Sequence, residues 1–383
     1  MARPGQQEAY KPALLAKVRR IVVKIGSSLL STPDGIDHGQ MERLVDEIRR
    51  LQERGYQIVV VSSGAVAAGL ARLGLGGRPK TVPLRQAAAA IGQISLMALY
   101  EEYFSAHGHH VAQILLTHDD LADRRRYLNA RHTFAALLHA GVIPIVNEND
   151  TVVVDEVKIN FGDNDNLSAL VATLVDADLL VILSDVAGLY TADPHTHPDA
   201  VLVELVESIS DIESVAAGST SAVGTGGMAS KVRAAYKTTE AGIACIVADG
   251  LHAGVLDALV DPHVSRGTLF LPKGDRLAKR KHWIAHTLKP AGAISVDHGA
   301  FEAITAKGRS LLPKGVAAVS GTFGAGECVS CLGPDAHEFA RGLVNYNSAE
   351  LARIKGLHTS AIEGALGYKI SDEVIHRDDL ILL

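Results

Sequence analysis

The sequence predicts an α/β fold: a three-layer unit built on a mostly parallel central sheet, followed by a small β-rich domain. Three observations predict it. Short apolar runs rich in β-branched residues alternate with helical stripes from Arg20 to about Pro272, the pattern of a sheet covered by helices on both faces. The chain is 47% hydrophobic but only 4% aromatic, so its core has to be assembled from Ala, Val, Leu and Ile. The charge then shifts: Lys273 to Lys289 holds six Lys/Arg and one Asp, whereas residues 290–383 hold eight Lys/Arg against eleven acidic residues. At 383 residues two domains are expected. The boundaries read as a loose arm over 1–17, an α/β domain over 18–272, a basic linker over 273–289 and a β-rich domain over 290–383.

Arg20-Ile-Val-Val-Lys-Ile25 is the first strand, and Gly26-Ser-Ser28 follows it. A lysine among β-branched residues is costly to bury unless its ammonium reaches an anion. Lys24, with the backbone and hydroxyl donors just beyond it, has the makings of a phosphate cradle. A helix over Met41 to Arg54 leads to the strand Gln57-Ile-Val-Val-Val61, and Ser62-Ser-Gly64 turns it into an Ala-rich helix over Ala65 to Leu73. A strand, a small-residue turn and a helix N-terminus again favour an anion. Leu84 to Phe104 is a long helix, His110 to Leu116 a strand, and Asp123 to His139 a helix whose Arg124-Arg-Arg126 reads as a solvated face.

The stretch from Gly141 to Val175 is the richest. Gly141-Val-Ile-Pro-Ile-Val146 reads as a buried strand, and Asn147-Glu-Asn-Asp150 follows it directly. Polar groups at that point line the crevice beyond a parallel sheet's carboxyl edge, where ligands of open α/β folds sit. Gly162-Asp-Asn-Asp-Asn166 then precedes Leu167, Leu170, Val171, Leu174 and Val175, the spacing of one helix face. One Asp or Asn would cap that helix, so a run of four points to a site. Asp178 to Leu183 is another buried strand, ending at Ser184-Asp185. Gly224-Thr-Gly-Gly-Met-Ala-Ser-Lys231 leads into a helical stripe over Val232, Ala235, Tyr236 and Thr239. Lys231 in the first turn opposes the helix dipole, and bound phosphate would account for it. No GxxxxGK[ST] is present, so this is not a P-loop. Beyond Lys289, β-like runs at 293–296, 310–312, 317–319, 327–332 and 339–344 alternate with Gly and Pro turns, suggesting a small barrel or sandwich.

A formal charge of −6 argues against a general nucleic-acid coat. No apolar run is long enough to span a bilayer, so a soluble, cytoplasmic protein is expected. Three cysteines do not make a disulfide framework. Cys328-Val-Ser-Cys331 has no second pair to complete a zinc site, and His195 with His197 has no third ligand in sight, so no metal site is expected.

IVVKIGSS, VVSSGAVAAG, VNENDTV, GDNDNLSA, LSDVAGLYTADP and GTGGMASK, in this order and spacing, resemble the amino acid kinase family, and within it the glutamate-phosphorylating branch. The tail motifs LKPAGAISVDHGA, GRSLLPKGV, ARGLVNY and GYKISDEVIHRDDLILL resemble the PUA domain appended to that branch. The resemblance implies ATP-dependent phosphorylation of the side-chain carboxylate of L-glutamate, the first step of proline synthesis. It implies that Lys24 and Lys231 neutralise the transferring phosphoryl group and that Asp163 orients both lysines. Ser63, Asp150 and Asn164, with Asn147 close by, are implied glutamate contacts. Lys24, Ser184, Asp185, Thr225, Gly226, Gly227, Met228, Ala229, Ser230 and Lys231 are implied ATP contacts. Ser stands at 62 and at 184 where the family commonly has Thr, which keeps the hydroxyl in both places.

The family also implies Mg²⁺ carried by the nucleotide phosphates, a homo-oligomer (dimer or tetramer), feedback by proline, and hand-off to glutamate-5-semialdehyde dehydrogenase. PUA domains serve RNA-modifying enzymes, but the tail's net charge of −3 is not the usual footprint of RNA binding. A kinase of the same fold acting on another carboxylate or phosphate acceptor is the alternative. The chemistry agrees independently with a kinase of carboxylates. A glutamate carboxylate with a pKa near ~4.3 is already ionised at neutral pH and needs no general base.

Overall fold

The chain is a computed structural model that describes residues 6–32, 35–75, 79, 81–153, 164–194, 196–208, 226–274 and 289–383. It divides into two compact units, residues 1–122 with 133–273, and residues 123–132 with 274–383. The grouping of residues 123–132 with the second unit has no counterpart in the boundaries expected from the sequence, which placed them inside the domain over 18–272.

The first unit is organised on an eight-stranded sheet. Its strands are β1 (Arg20–Ile25), β4 (Gln57–Val61), β5 (Val111–Leu116), β6 (Ile143–Glu148), β7 (Leu179–Ser184), β8 (Leu205–Val206), β9 (Ala244–Asp249) and β10 (Thr268–Phe270), while β2 (Ser31–Thr32) and β3 (Gly35–Ile36) form a separate hairpin. The order is β5-β6-β4-β1-β7-β9-β10-β8, and every neighbour pair is parallel except β9 with β10. The helices of this unit are α1 (Gln6–Leu15), α2 (Ser27–Leu30), α3 (His38–Glu53), α4 (Ala65–Arg72), α5 (Val82–Ser105), α6 (His118–Ala122), α7 (Arg124–His139, whose first residues belong to the other unit), α8 (Asn164–Leu174), α9 (Gly226–Glu240) and α10 (Val255–Leu259).

Alternation along the strands decides which side chains meet which layer. Ile21, Val23 and Ile25 of β1 join one core with Met41, Leu44 and Ile48 of α3 and Leu96, Tyr100 and Phe104 of α5. Lys24 therefore faces the other layer, where α8 packs on β1. Register carries this across the sheet: Lys24 pairs with Val61 and Ile182, and Val61 with Val146. The carboxyl ends of β1, β4, β6 and β7 thus lie side by side, at the edge where open α/β folds bind ligands.

The loose arm expected at the N-terminus is a correction. Residues 6–15 form α1, and Gln7, Lys11 and Leu15, one turn apart, are buried. Gln7 Nε2 donates to the carbonyls of Glu204 (2.8 Å) and Gly267 (2.9 Å), and Lys11 Nζ to those of Ala258 (3.2 Å) and Val264 (2.5 Å). The docked face is mostly polar and satisfied by backbone acceptors, so apolar periodicity could not reveal it.

In the second unit five strands, β11 (Gly292–Val296), β12 (Val316–Gly321), β13 (Cys328–Leu332), β14 (Glu338–Leu343) and β15 (Leu380–Leu382), run in the order β12-β11-β13-β14-β15, with α11 (His298–Lys307), α12 (Ser348–Ile354) and α13 (Ile362–Leu366). Ile294, Val329, Cys331, Tyr346, Leu351 and Ile375 share its core. Residues 310–312, expected as a strand, contribute only a bridge from Leu311 to Ile375. Cys331 lies in this core and Cys328 in a separate cluster with Leu343, so the two point to opposite faces of β13. Burial raises both thiols, Cys331 to about 12, which suits inert core residues. Arg124 is not a solvated residue: its Nε and Nη2 donate to the Gly326 carbonyl at 2.9 and 2.6 Å. Arg125 remains exposed.

Candidate active site

The first turn of α8 gathers the site. Asp165 is buried, and its carboxylate lies 2.5 Å from Lys24 Nζ through Oδ1 and 3.6 Å from Lys231 Nζ through Oδ2. Ser230 Oγ donates to the same Oδ2 at 2.5 Å. Burial by itself would raise the Asp165 carboxyl, but the charges of Lys24 and Lys231 and the hydrogen bonds from Lys24 and Ser230 outweigh it and hold the group below the ordinary carboxylate value. It is therefore a fixed anion at neutral pH. Lys231 Nζ also donates to the Gly227 carbonyl one turn back, at 3.0 Å.

The residue before Asp165 reaches a different partner set. Asn164 Nδ2 donates to Ser63 Oγ (2.9 Å) and Asn147 Oδ1 (3.2 Å), joining the ends of β4 and β6 to the head of α8. All three side chains are buried. Ser63 owes its place to Gly64, whose φ of +102° enters α4 through a left-handed turn that other residues rarely adopt. Asp150 is nearly buried, and Arg85 of α5 approaches its Oδ1 at 3.7 Å.

A second set lines a cavity of about 190 Å³: Ser184, Asp185, Tyr190, Gly227, Met228 and Lys231. Ser184 Oγ donates to Asp185 Oδ1 at 3.0 Å, which fixes the hydroxyl at the end of β7. Ser184, Asp185, Gly227, Met228 and Lys231, expected from separate stretches, are thus brought together, and Gly226 and Ala229 lie with them at the start of α9. A larger cavity of about 620 Å³ lies in the second unit, with Asp297, Arg309, Lys314, Glu373, His376 and Arg377 among its lining. It contains none of the expected site residues.

Asp163, Thr225 and His195 lie outside the described residues. Among the described residues, Asp165 is the carboxylate that contacts both lysines. The signal was available, since Asp165 stands in the same acidic run. Helix α8 begins at Asn164, three residues before Leu167, where the apolar stripe starts. Gln93 of α5, whose Oε1 accepts from Asn147 Nδ2 at 2.8 Å, was missed, because a lone glutamine in an Ala-rich helix carries no pattern. No group of three or more His, Cys, Asp or Glu that could hold a metal ion occurs among the described residues.

The amino acid kinase family model matches residues 19–249, and the PUA domain model residues 292–366. Among curated relatives, the glutamate 5-kinase of Pelobacter propionicus is 53% identical over 372 residues, covering 97% of this chain and 99% of that protein. That of Geobacter metallireducens is 54% identical over 376 residues, covering 97% and 100%. That of Moorella thermoacetica is 52% identical over 371 residues, covering 96% and 97%.

Proposed function

This chain belongs to the amino acid kinase family, in its glutamate 5-kinase branch with a PUA domain, and on that premise we propose that it transfers the γ-phosphoryl group of ATP to the side-chain carboxylate of L-glutamate. One observation carries the reading. Consecutive residues at the head of α8 serve the two halves of the reaction: Asn164 ties together the polar groups fit for an amino acid, and Asp165 holds both lysines fit for a phosphoryl group.

Phosphoryl transfer to a carboxylate brings two anions into line, and the protein's task is positioning and charge compensation. Ser63, Asn147, Asn164 and Asp150 hold the acceptor, with Asp150 suited to its ammonium. Ser184, Asp185 and the start of α9 hold the nucleotide. Lys24 and Lys231, anchored by Asp165, present cations to the oxygens of the group in flight. Their anchor also spares them reorganisation as charge develops. Asp165 is committed to two ammonium groups and a hydroxyl, so the residues fit a Mg²⁺ ion that is carried by the nucleotide phosphates and retains waters. That ion, when bound, neutralises phosphate charge.

The family resemblance further supports a cytoplasmic homo-oligomer (dimer or tetramer) under feedback by proline, and a regulatory or RNA-directed role for the tail. Hand-off of the product to glutamate-5-semialdehyde dehydrogenase suits an acyl phosphate, which water hydrolyses. No described helix is long and apolar enough to cross a membrane.

The test is acyl phosphate formation, trapped as the hydroxamate, with ATP, Mg²⁺ and glutamate, aspartate or acetylglutamate. Glutamate is expected to exceed aspartate in kcat/KM by at least ~10-fold, the scale of one methylene in a shaped pocket. Equal turnover of the two would remove the glutamate assignment and leave a kinase of carboxylates.

A further inference from the structure

Helices α4 and α5 cross with no side chain between them. A Cβ at Gly92 would lie 1.8 Å from the Ala65 carbonyl oxygen and 2.4 Å from Gly69 N, and a Cβ at Gly69 would lie 1.8 Å from the Ala88 carbonyl oxygen. This backbone contact pins α5 against the start of α4, one step from Ser63. Gln93, the residue after Gly92, is thereby carried to the end of β6, where its Oε1 accepts from Asn147 Nδ2 at 2.8 Å. Asn147 Oδ1 in turn accepts from Glu148 N (2.9 Å) and Asn164 Nδ2 (3.2 Å), and Asn164 Nδ2 also donates to Ser63 Oγ.

A carboxamide has a donor end and an acceptor end, and turning it over exchanges them. Turned over, Asn147 would set its NH₂ against the NH₂ of Asn164 and against the Glu148 N–H. Gln93 presents an acceptor to the NH₂ end of Asn147, which fixes the one orientation in which the chain from Ser63 through Asn164 to Asn147 is continuous. The two ends of this chain are open. Gln93 Nε2 and Asn164 Oδ1 are buried and make no hydrogen bond in the structure, although buried polar groups are nearly always paired. One is a donor and the other an acceptor, the complement of a ligand that carries both a carboxylate and an ammonium.

We propose that Gln93 is a positioning residue for the acceptor amino acid, acting through Asn147 to hold Asn164 and Ser63 in their binding orientation. The proposal rests on the reading of the acceptor as glutamate, and glutamate turnover by the unsubstituted enzyme tests that reading separately. The experiment is a double-mutant cycle of Gln93→Met, close to isosteric and unable to accept from Asn147, with Asn147→Ala, in the full-length enzyme. Gln93→Met is expected to raise the KM for glutamate about 10-fold or more, with the KM for ATP and the unfolding midpoint little changed. In the Asn147→Ala background the same substitution should change the glutamate KM by less than about twofold, because its route is already cut. An unchanged glutamate KM in Gln93→Met, an equal rise in the KM for ATP, or multiplicative effects in the double variant would each overturn the proposal. Gln93→Ala carries the same expectations and serves should Gln93→Met fold poorly.

Discussion

Among the described residues of the first unit, two lysines are buried, and they are buried in different ways. Lys24 ends a central strand against the carboxylate of Asp165, whereas Lys11 lies under a peripheral helix against two backbone carbonyls. Removing water from an ammonium disfavours its charge unless something replaces the lost solvation. At Lys11 the replacement is incomplete: burial lowers its pKa to about 8, with Asp261 opposing the shift. At Lys24 a full counter-charge stands in, and Lys231 and Ser230 share it. The difference separates a lysine held by backbone carbonyls from one held by a carboxylate, the one proposed to meet the phosphoryl group.

The comparison is tested most severely at the active lysines. Lys24→Ala and Lys231→Ala should each lower kcat by at least ~100-fold, the scale of losing one preorganised charge from a developing anion. Steady-state kinetics would break the comparison if either variant kept a near-normal kcat with only a raised KM for ATP. Next in size is Asp165→Asn, which keeps the shape but removes the anchor charge and replaces one of the two acceptor oxygens with a donor. It is expected to lower kcat about 10-fold or more and to lower the unfolding free energy by on the order of 2–3 kcal/mol, because buried Lys24 and partly buried Lys231 lose their carboxylate. A variant with unchanged kcat would make Asp165 merely structural.

The smallest effect belongs to Lys11. Its folded pKa lies below the ordinary lysine value, so between about pH 8 and 10 the unfolded chain holds a proton that the folded chain has released. The unfolding free energy is then expected to rise with pH across that window, by up to about 1 kcal/mol per unit, and this contribution is flat below it. Chemical denaturation of the unsubstituted protein and of Lys11→Met at several pH values measures it. Equal slopes in the two proteins would mean that Lys11 does not titrate there.

Much of this was legible in the sequence because strands buried on both faces announce themselves. β1, β4, β6 and β7 carry long buried apolar stretches, and the polar residues within or just beyond their ends, Lys24, Ser63, Asn147 and Ser184, stand out against them. What escaped was set by contacts with no local period. The docking of α1 depends on carbonyls of residues beyond 200, and Gln93 is set where it is by the close approach of its neighbour Gly92 to the distant Gly69. The contact of Asp165 with both lysines was also not singled out, because an acidic run displays its carboxylates equally in sequence, and only the phase of the helix tells them apart.

The adjacency of Asn164 and Asp165 bears on how such an enzyme could be re-engineered. A designer wishing to admit a shorter or longer acceptor would be tempted to move α8, since one of its residues touches the polar network. Any shift of that helix would drag the anchor of both lysines with it, and selectivity would be altered together with rate. The opposite wall, supplied by the ends of β4 and β6 and by α5, carries no lysine anchor. Under the roles proposed above, libraries confined to that wall would explore new acceptors while the lysines and their anchor are inherited intact.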